Sequence, residues 1–217
     1  MADIFVGFGD SWANGDELDH SREKSYMKLL GEQFGVQVLN YAVSSSSIGH
    51  MLIQFQKFIA TDYHPANRYH AVFFVTAKER AFYFDDNDHT IKHTSPTSVV
   101  SFQEDAYYKY YTDKLGDLNA NRDIVGIQGL CRIYGIVDYW MLGWQKIPLW
   151  NVVDKGRFFA LGDRPITTLF TSDGRIQPII ELVNPANQNP YIWPNSGHPN
   201  QLGHQIIADA MAKIIKL

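Results

Sequence analysis

The chain has 217 residues, a length that fits one α/β domain with a substantial core and is short for two domains. Hydrophobic residues make up 45% and charged residues 19%, which excludes a disordered chain, and a net charge of −4 without a basic run argues against nucleic acid or an anionic membrane as partner. The single cysteine, Cys131, excludes an intramolecular disulfide, and no apolar run approaches the roughly 20 residues that span a bilayer.

Strands and helices alternate in the first part of the chain. Apolar runs and helical periodicity predict strands at 4–8, 36–41 and 71–76 and helices at 23–34 and 48–62. This βαβαβ order predicts a doubly wound, three-layer α/β/α sandwich with a mostly parallel sheet. Right-handed crossovers bring the carboxyl ends of the strands to one edge. Ser11, the serine loop at 44–47 and residues 76–80 are therefore expected to meet at that edge.

The rest of the chain is less regular. The alternation of predicted strands and helices is lost at 81–101, where the acidic run 85–88 predicts a turn inside an irregular insertion. Farther on, the sequence predicts helices through most of 102–142 with a break near 119–122, a fourth strand at 147–152, and an amphipathic helix at 201–216. A fifth strand is expected within 155–194 without an assigned position. Since there is no internal repeat and no linker, residues 1–217 are expected to form a single domain.

Three short blocks follow the predicted strands or open the last helix. Gly9-Asp10-Ser11 comes after the first strand, and Asn40 ends the second strand ahead of the serine loop. The sequence His198-Pro199-Asn200-Gln201-Leu202-Gly203-His204 opens the last helix. In this order and on these elements, the blocks resemble those of the SGNH hydrolases, also called GDSL esterases and lipases. Gly-Asp-Ser recurs by chance in unrelated chains, whereas the histidine block is much more specific.

The resemblance implies a flavodoxin-like α/β/α fold and a serine hydrolase. Ser11 would be the nucleophile and His198 its base, since a serine hydroxyl is a poor nucleophile until a base takes its proton. An imidazole with its ordinary pKa of about 6.5 suits that task near neutral pH. The oxyanion would be held by the backbone N–H of Ser11 and by a loop N–H at Ser45, while Asn40 would tie that loop down.

Two positions depart from the family pattern. The third block is normally Gly-x-Asn-Asp, whose asparagine donates to the oxyanion, but residues 76–80 contain no asparagine, so Thr76 or Lys78 is the expected replacement. The residue three before the histidine is normally aspartate and here is Asn195, which can hold the imidazole but brings no charge. Asn195→Asp should raise turnover, unless another residue orients His198. Three other acids stay open for that role: Asp154, Asp163 and Asp173.

Four side chains beside the blocks are weaker candidates for substrate binding: Asp10, Trp12, Arg80 and Trp193. The two tryptophans, with Tyr191, either stack on a sugar ring or pack as pocket walls. Arg80 and Glu79 either clamp the substrate or form an ion pair at the sheet edge, and the structural interpretation is slightly favoured. No cofactor and no metal are expected, because the proposed chemistry needs neither.

Together these features predict a serine esterase that hydrolyses a small acyl ester, with O-acetyl groups on carbohydrate as the candidate substrate. The alternative is a catalytically impaired module that binds glycans or serves as an accessory or structural protein, which the missing acid and oxyanion asparagine favour. The oligomeric state is left open. Asp3 interrupts the first apolar run, so no signal peptide is predicted, and the expected location is the cytoplasm or a larger exported assembly such as a virus particle.

Overall fold

A four-stranded parallel sheet organises the molecule. The computed structural model describes residues 2–18, 21–85, 90–93, 109–176, 182, 189–193 and 196–217. The strands in chain order are β1 Asp3–Phe8, β2 Gln37–Asn40, β3 Arg68–Val75, β4 Phe82–Asp85, β5 Thr90–His93 and β6 Val137–Leu142. The sheet has the order β2-β1-β3-β6, and Gly7 of β1 lies opposite Asn40 of β2 and Val72 of β3. The carboxyl ends of these strands therefore meet at one edge, as predicted.

Helices cover the sheet and begin at capping side chains. They are α1 Ser11–Asn14, α2 Tyr26–Phe34, α3 Ile48–Thr61, α4 Asp113–Tyr134 and α5 Gln201–Ala212. The hydroxyls of Ser25, Ser47 and Thr112 accept a backbone N–H in the first turn of α2, α3 and α4, respectively. Gly35 and Gly135 end α2 and α4 in the left-handed conformation that glycine adopts without strain. None of the helices in the described ranges is long and apolar enough to cross a membrane.

Two hydrophobic cores lie on opposite faces of the sheet, because side chains alternate along each strand. On one face, α3 and α4 pack against side chains that include Phe8 and Trp140. On the other face, α1, α2 and α5 pack against side chains that include Phe5 and Phe74. The predicted three-layer α/β/α sandwich is confirmed.

The region from 109 to 153 differs from its prediction. Helix α4 is continuous through 119–122, where a break was predicted, because Asn121 is buried and its amide group pins a loop: Nδ2 donates to the carbonyl of Pro148 at 3.0 Å and Oδ1 accepts from Trp150 N at 2.7 Å. The strand of this region is β6 at 137–142, which was predicted as part of a helix. The predicted strand at 147–152 is wrong, since these residues form that loop and a turn. Residues 102–108 of the predicted helix lie outside the described residues.

The predicted irregular insertion contains regular structure. β4 and β5 pair as an antiparallel hairpin, with Phe82 opposite His93 and Asp85 opposite Thr90. Residues 86–88 of the predicted turn lie outside the described residues. Ile91 of the hairpin lines a groove of about 590 Å³ together with α3 and residues 40–43. In the 155–194 region, where a fifth strand was expected, Phe158 forms an isolated parallel bridge with Trp140 of β6.

Candidate active site

The turn between β1 and α1 presents Ser11 at the carboxyl end of the sheet. Gly9 has φ +145°, and a Cβ there would lie 2.8 Å from Cβ of Phe74, so the sharp turn requires glycine. Ser11 is the first residue of α1 and is 6% exposed. Neither its hydroxyl nor its N–H makes a hydrogen bond to a described residue. The N–H of Trp12 donates instead to the Asp10 carboxylate at 3.0 Å, which caps the helix.

Asp10 is fully buried and anchors the turn. Its Oδ2 accepts from the Thr76 hydroxyl at 2.6 Å and from Nη1 of Arg80 at 3.0 Å. Burial raises the pKa of this carboxyl, and the Arg80 charge opposes the shift. Because Asp10 has no exposed surface, it cannot contact a substrate in this arrangement, contrary to its prediction as a binding residue. Arg80 pairs with Asp10 and not with Glu79, which accepts from Gln145 Nε2 at 2.9 Å.

The two candidates for the third oxyanion donor are engaged elsewhere. The Thr76 hydroxyl gives its proton to Asp10 and accepts from Arg80 Nη1 at 3.1 Å. Nζ of Lys78 lies 2.8 Å from the Asp117 carboxylate on α4. The Thr76 hydroxyl therefore has no proton left to donate to a substrate, and the ion pair with Asp117 holds the Lys78 ammonium against α4.

The loop after β2 supplies a free backbone donor near the turn. Ser45 has a left-handed backbone with φ +62°, and its N–H makes no hydrogen bond to a described residue. The N–H of Val43 donates to the Gly9 carbonyl at 3.1 Å, which ties this loop to the end of β1. The Asn40 side chain donates to the carbonyl of Ala13 at 2.9 Å and accepts the N–H of Ala42, so its expected structural role is confirmed.

A buried glutamine that the sequence interpretation missed joins the turn to the serine loop. Gln54 on α3 accepts the N–H of Gly9 at 3.0 Å, and its amide donates to the Gly9 carbonyl at 2.9 Å and to the Ser46 hydroxyl at 2.8 Å. Ser46 Oγ also lies 3.1 Å from Nδ1 of His50. The available signal was a polar residue on the apolar face of α3, beside Met51 and Phe55.

His198 lies on the loop that leads into α5. The loop is held by a backbone bond from Trp193 N to the His198 carbonyl at 2.8 Å, and Asn200 caps α5 by accepting the N–H of Gly203. Glu17, six positions after Ser11, contacts both Ser196 and His198, so the fold brings the first and last blocks to the same region.

The carboxylate beside this histidine comes from an unpredicted residue, Glu17. Its Oε1 lies 3.3 Å from Nδ1 of His198, and Nδ1 makes no hydrogen bond to a described residue. Such contacts are often loose before substrate binds. Glu17 stands six positions after Ser11 in a polar loop, and the available sequence signal was an acidic residue close to Ser11.

The acids left open by the sequence have other partners. Asp154 caps a short 3-10 helix by accepting the N–H of Gly156, while Asp163 pairs with Lys146 and Asp173 with Arg175. Asn195 lies outside the described residues, so its predicted role stays a prediction. Among the residues that the structure describes, no group of three or more His, Cys, Asp or Glu side chains could hold a metal ion.

The predicted aromatic residues have different environments. Trp12 is fully buried, with its ring centroid 4.8 Å from that of Trp144 and 5.5 Å from that of Phe74. It is a packed wall and cannot stack on a sugar. Tyr191 stacks on Phe170 with a centroid distance of 5.8 Å. Trp193 is 45% exposed beside His198 and is therefore accessible to a ligand.

Known proteins resemble this chain in structure. No protein-family model and no curated protein matches the sequence. A protein assigned to the lipolytic G-D-S-L family from Desulfitobacterium hafniense is 11% identical, with a TM-score of 0.57 over 98% of this chain and 99% of that one. The acetyl xylan esterase AlAXEase is 14% identical, with a TM-score of 0.52 over 98% of this chain and 100% of that one.

A third solved structure is the psychrotrophic esterase EstA from Pseudoalteromonas sp., inhibited by monoethylphosphonate. It is 12% identical, with a TM-score of 0.51 over 97% of this chain and 94% of that one. At these identities the likeness concerns the fold, and it extends over nearly the whole length of each chain. The fold expected from the three sequence blocks is confirmed: the protein has the SGNH hydrolase fold of the G-D-S-L lipolytic proteins.

Proposed function

We propose that the protein is a serine esterase that hydrolyses a small acyl ester, with Ser11 as nucleophile and His198 as base. One observation carries the proposal. The Ser11 hydroxyl and the backbone N–H groups of Ser11 and Ser45 have no hydrogen-bond partner among the described residues, whereas the neighbouring Asp10 carboxylate has three. Free donors beside a hydroxyl are what a tetrahedral oxyanion requires.

The reaction would use His198 twice. The imidazole takes the proton from Ser11 Oγ as the oxygen attacks the acyl carbon, and the two backbone N–H groups stabilise the oxyanion. Collapse of the tetrahedral intermediate expels the alcohol, which receives the proton from His198. The acyl group remains on Ser11. Water then attacks the acyl-serine with the same proton transfers, releasing the acid and the free serine. With two oxyanion donors in place of three, turnover is expected to be about 100-fold slower than with a complete set.

Carbohydrate O-acetyl esters are the proposed substrate class. The solved structures that resemble this one include an acetyl xylan esterase. The main chain of Trp193 is hydrogen-bonded to that of His198, and its exposed indole offers a flat apolar face of the kind on which sugar rings stack.

A glycan-binding protein with impaired catalysis is the second candidate function. One observation favours this candidate. Thr76 and Lys78 are the expected replacements for the family's oxyanion asparagine, and they are held by contacts to Asp10 and Asp117, respectively. Such a protein would bind acetylated glycans through Trp193 without turning them over.

Ser11→Ala tests the esterase directly. We expect this variant to lose about a million-fold in kcat/KM on p-nitrophenyl acetate and on acetylated xylan, because removal of a serine nucleophile has an effect of that size. It should also lose labelling by a fluorophosphonate. Ser172→Ala, at an exposed serine, is the matched control and should behave as wild type. Undiminished hydrolysis by Ser11→Ala would refute the proposal, and wild-type binding of xylan without hydrolysis would favour the glycan-binding protein.

A further inference from the structure

The loop after α1 brings a carboxylate to the histidine. We propose that Glu17 is the acid that orients His198, in the role that the family pattern gives to an aspartate three residues before the histidine. The inference rests on the proposed function, because the orientation of His198 matters for turnover only if His198 acts as a base. Glu17 acts through the imidazole and not on the substrate, so it is a positioning residue.

Both carboxylate oxygens of Glu17 contact the histidine loop. Oε1 lies 3.3 Å from Nδ1 of His198, and Oε2 accepts a hydrogen bond from the Ser196 hydroxyl. The same hydroxyl accepts the backbone N–H of His198 at 3.3 Å. Carboxylate, hydroxyl, backbone and imidazole thus form a closed ring of contacts. These contacts place the carboxylate beside Nδ1, which makes no hydrogen bond to a described residue in this arrangement.

The backbone that carries Glu17 is fixed to Ser11. The N–H groups of Gly15 and Asp16 both donate to the Ser11 carbonyl at 3.0 Å, and the Asp16 carboxylate accepts from Asn14 Nδ2 at 2.6 Å. Glu17 itself has φ +67°, in the left-handed region that residues with long side chains seldom occupy. Strain of this kind persists only where the surroundings impose it, and it clusters at functional sites.

A carboxylate at Nδ1 has a defined effect on the imidazole. It favours the tautomer that carries its proton on Nδ1, which leaves the Nε2 lone pair to accept the Ser11 proton, and it stabilises the imidazolium that then forms. Nε2 of His198 has no hydrogen-bond partner among the described residues. The side chains of Glu17 and His198 are 43% and 20% exposed, so solvent weakens the pair relative to a buried triad acid.

The test compares Glu17→Gln, Glu17→Asp and a control. We expect Glu17→Gln to lower kcat on p-nitrophenyl acetate by about 100-fold, less than the ~10⁴-fold seen for a buried triad acid, with KM nearly unchanged. Glu17→Asp keeps the charge and should recover part of the loss. Asp173→Asn removes an exposed carboxylate that pairs with Arg175, and it should leave kcat unchanged.

A second substitution, at position 195, should restore kcat to Glu17→Gln. It would not do so if the role of Glu17 were merely structural. Asn195→Asp restores the acid of the family pattern and its charge, so it should change wild-type kcat little and raise that of Glu17→Gln at least about 10-fold. Equal kcat in wild type and Glu17→Gln would overturn the inference. So would a large gain from Asn195→Asp in the wild-type background alone.

A measurement without substrate separates this inference from the proposed function. Imidazole ¹⁵N shifts at pH 8 report the tautomer of neutral His198, and we expect the Nδ1–H form in wild type and a shift toward the Nε2–H form in Glu17→Gln. An inactive wild type that shows this tautomer change would refute the esterase and retain Glu17 as the partner of His198. An active wild type whose tautomer is unaffected by Glu17→Gln would refute the role of Glu17 alone.

Discussion

The two halves of the candidate site are built differently. On the serine side, Asp10 is fully buried with three hydrogen-bond partners, and Gly9 is clamped by both groups of one glutamine amide. On the histidine side, the imidazole of His198 is partly exposed and has one close contact, to the Glu17 carboxylate. Buried, fully paired groups resist displacement, whereas a single half-exposed pair yields easily. The serine side is therefore the rigid reference, and the histidine side is the adjustable one.

The largest expected loss of stability comes from breaking the serine side at Asp10. Asp10→Ala leaves the Arg80 guanidinium and the Thr76 hydroxyl without their carboxylate, so we expect the free energy of unfolding to fall by about 3–5 kcal/mol. Urea unfolding measures this change. Asp163→Asn, at an exposed ion pair with Lys146, is the control and should cost less than about 0.5 kcal/mol. A similarly small loss in the free energy of unfolding of both variants would contradict the conclusion that the serine side is rigid.

Gln54→Ala tests the link between the turn and the serine loop. The substitution leaves the Gly9 N–H without a partner and removes one hydrogen bond each from the Gly9 carbonyl and the Ser46 hydroxyl, and we expect a loss of about 2–3 kcal/mol in the free energy of unfolding. Because the clamp sets the distance between Ser11 and the Ser45 loop, kcat should also fall about 10-fold. Gln33→Ala, which removes an exposed contact to Asp209, should change neither quantity. Unchanged kcat in Gln54→Ala would show that the loop keeps its position without the clamp.

The smallest expected effect is an acid sensitivity of the histidine side. Nδ1 of buried His204 on α5 accepts the N–H of Tyr26 at 3.1 Å, and burial lowers the pKa of His204 to about 3. Because this pKa is lower when folded than the ordinary value of about 6.5, its stabilisation is complete above pH 6.5 and is lost as pH falls toward 3. Between pH 7 and pH 5 the loss should be about 2 kcal/mol.

Urea unfolding at the two pH values checks this expectation, with His204→Gln as the variant that lacks the titrating group. The variant should lose less stability between pH 7 and pH 5 than wild type does. Asp3 gives no interference in this range, because hydrogen bonds from Arg68 and His70 lower its pKa to about 2 and its effect begins below about pH 4. Equal losses in wild type and variant would assign the acid sensitivity to other groups.

The sequence predicted the N-terminal elements well because their signals are local. The strand β1 is an apolar run closed by a glycine turn, and α2 and α3 have serine caps and periodic apolar residues. Residues 113–142 were harder to interpret, because the apolar residues of β6 continue the spacing of α4, and Gly135 is a weak boundary signal. Asn121 resembled a helix break because its contacts to residues 148–150 are distant in sequence.

For the candidate site, the sequence identified the residues that belong to motifs. It missed the residues whose importance depends on contacts in the folded structure. Ser11 and His198 stand in recognisable blocks, and the contacts of Glu17 to Ser196 and His198 bring these blocks to the same region. Glu17 and Gln54 belong to no motif, and their importance follows from loop geometry and from a buried amide. Trp12 and Asp10 lie beside a motif, but burial gives them structural contacts.

The position of Glu17 in the chain has a consequence for how this protein tolerates change in length. The proposed nucleophile and the proposed acid are encoded within seven consecutive residues, while the proposed base, His198, is distant in sequence. An insertion or deletion between residues 12 and 16 would alter the spacing of two active groups at once. Conversely, an exchange of the C-terminal segment for that of a homologue with its own acid would leave this chain with two competing carboxylates around one imidazole.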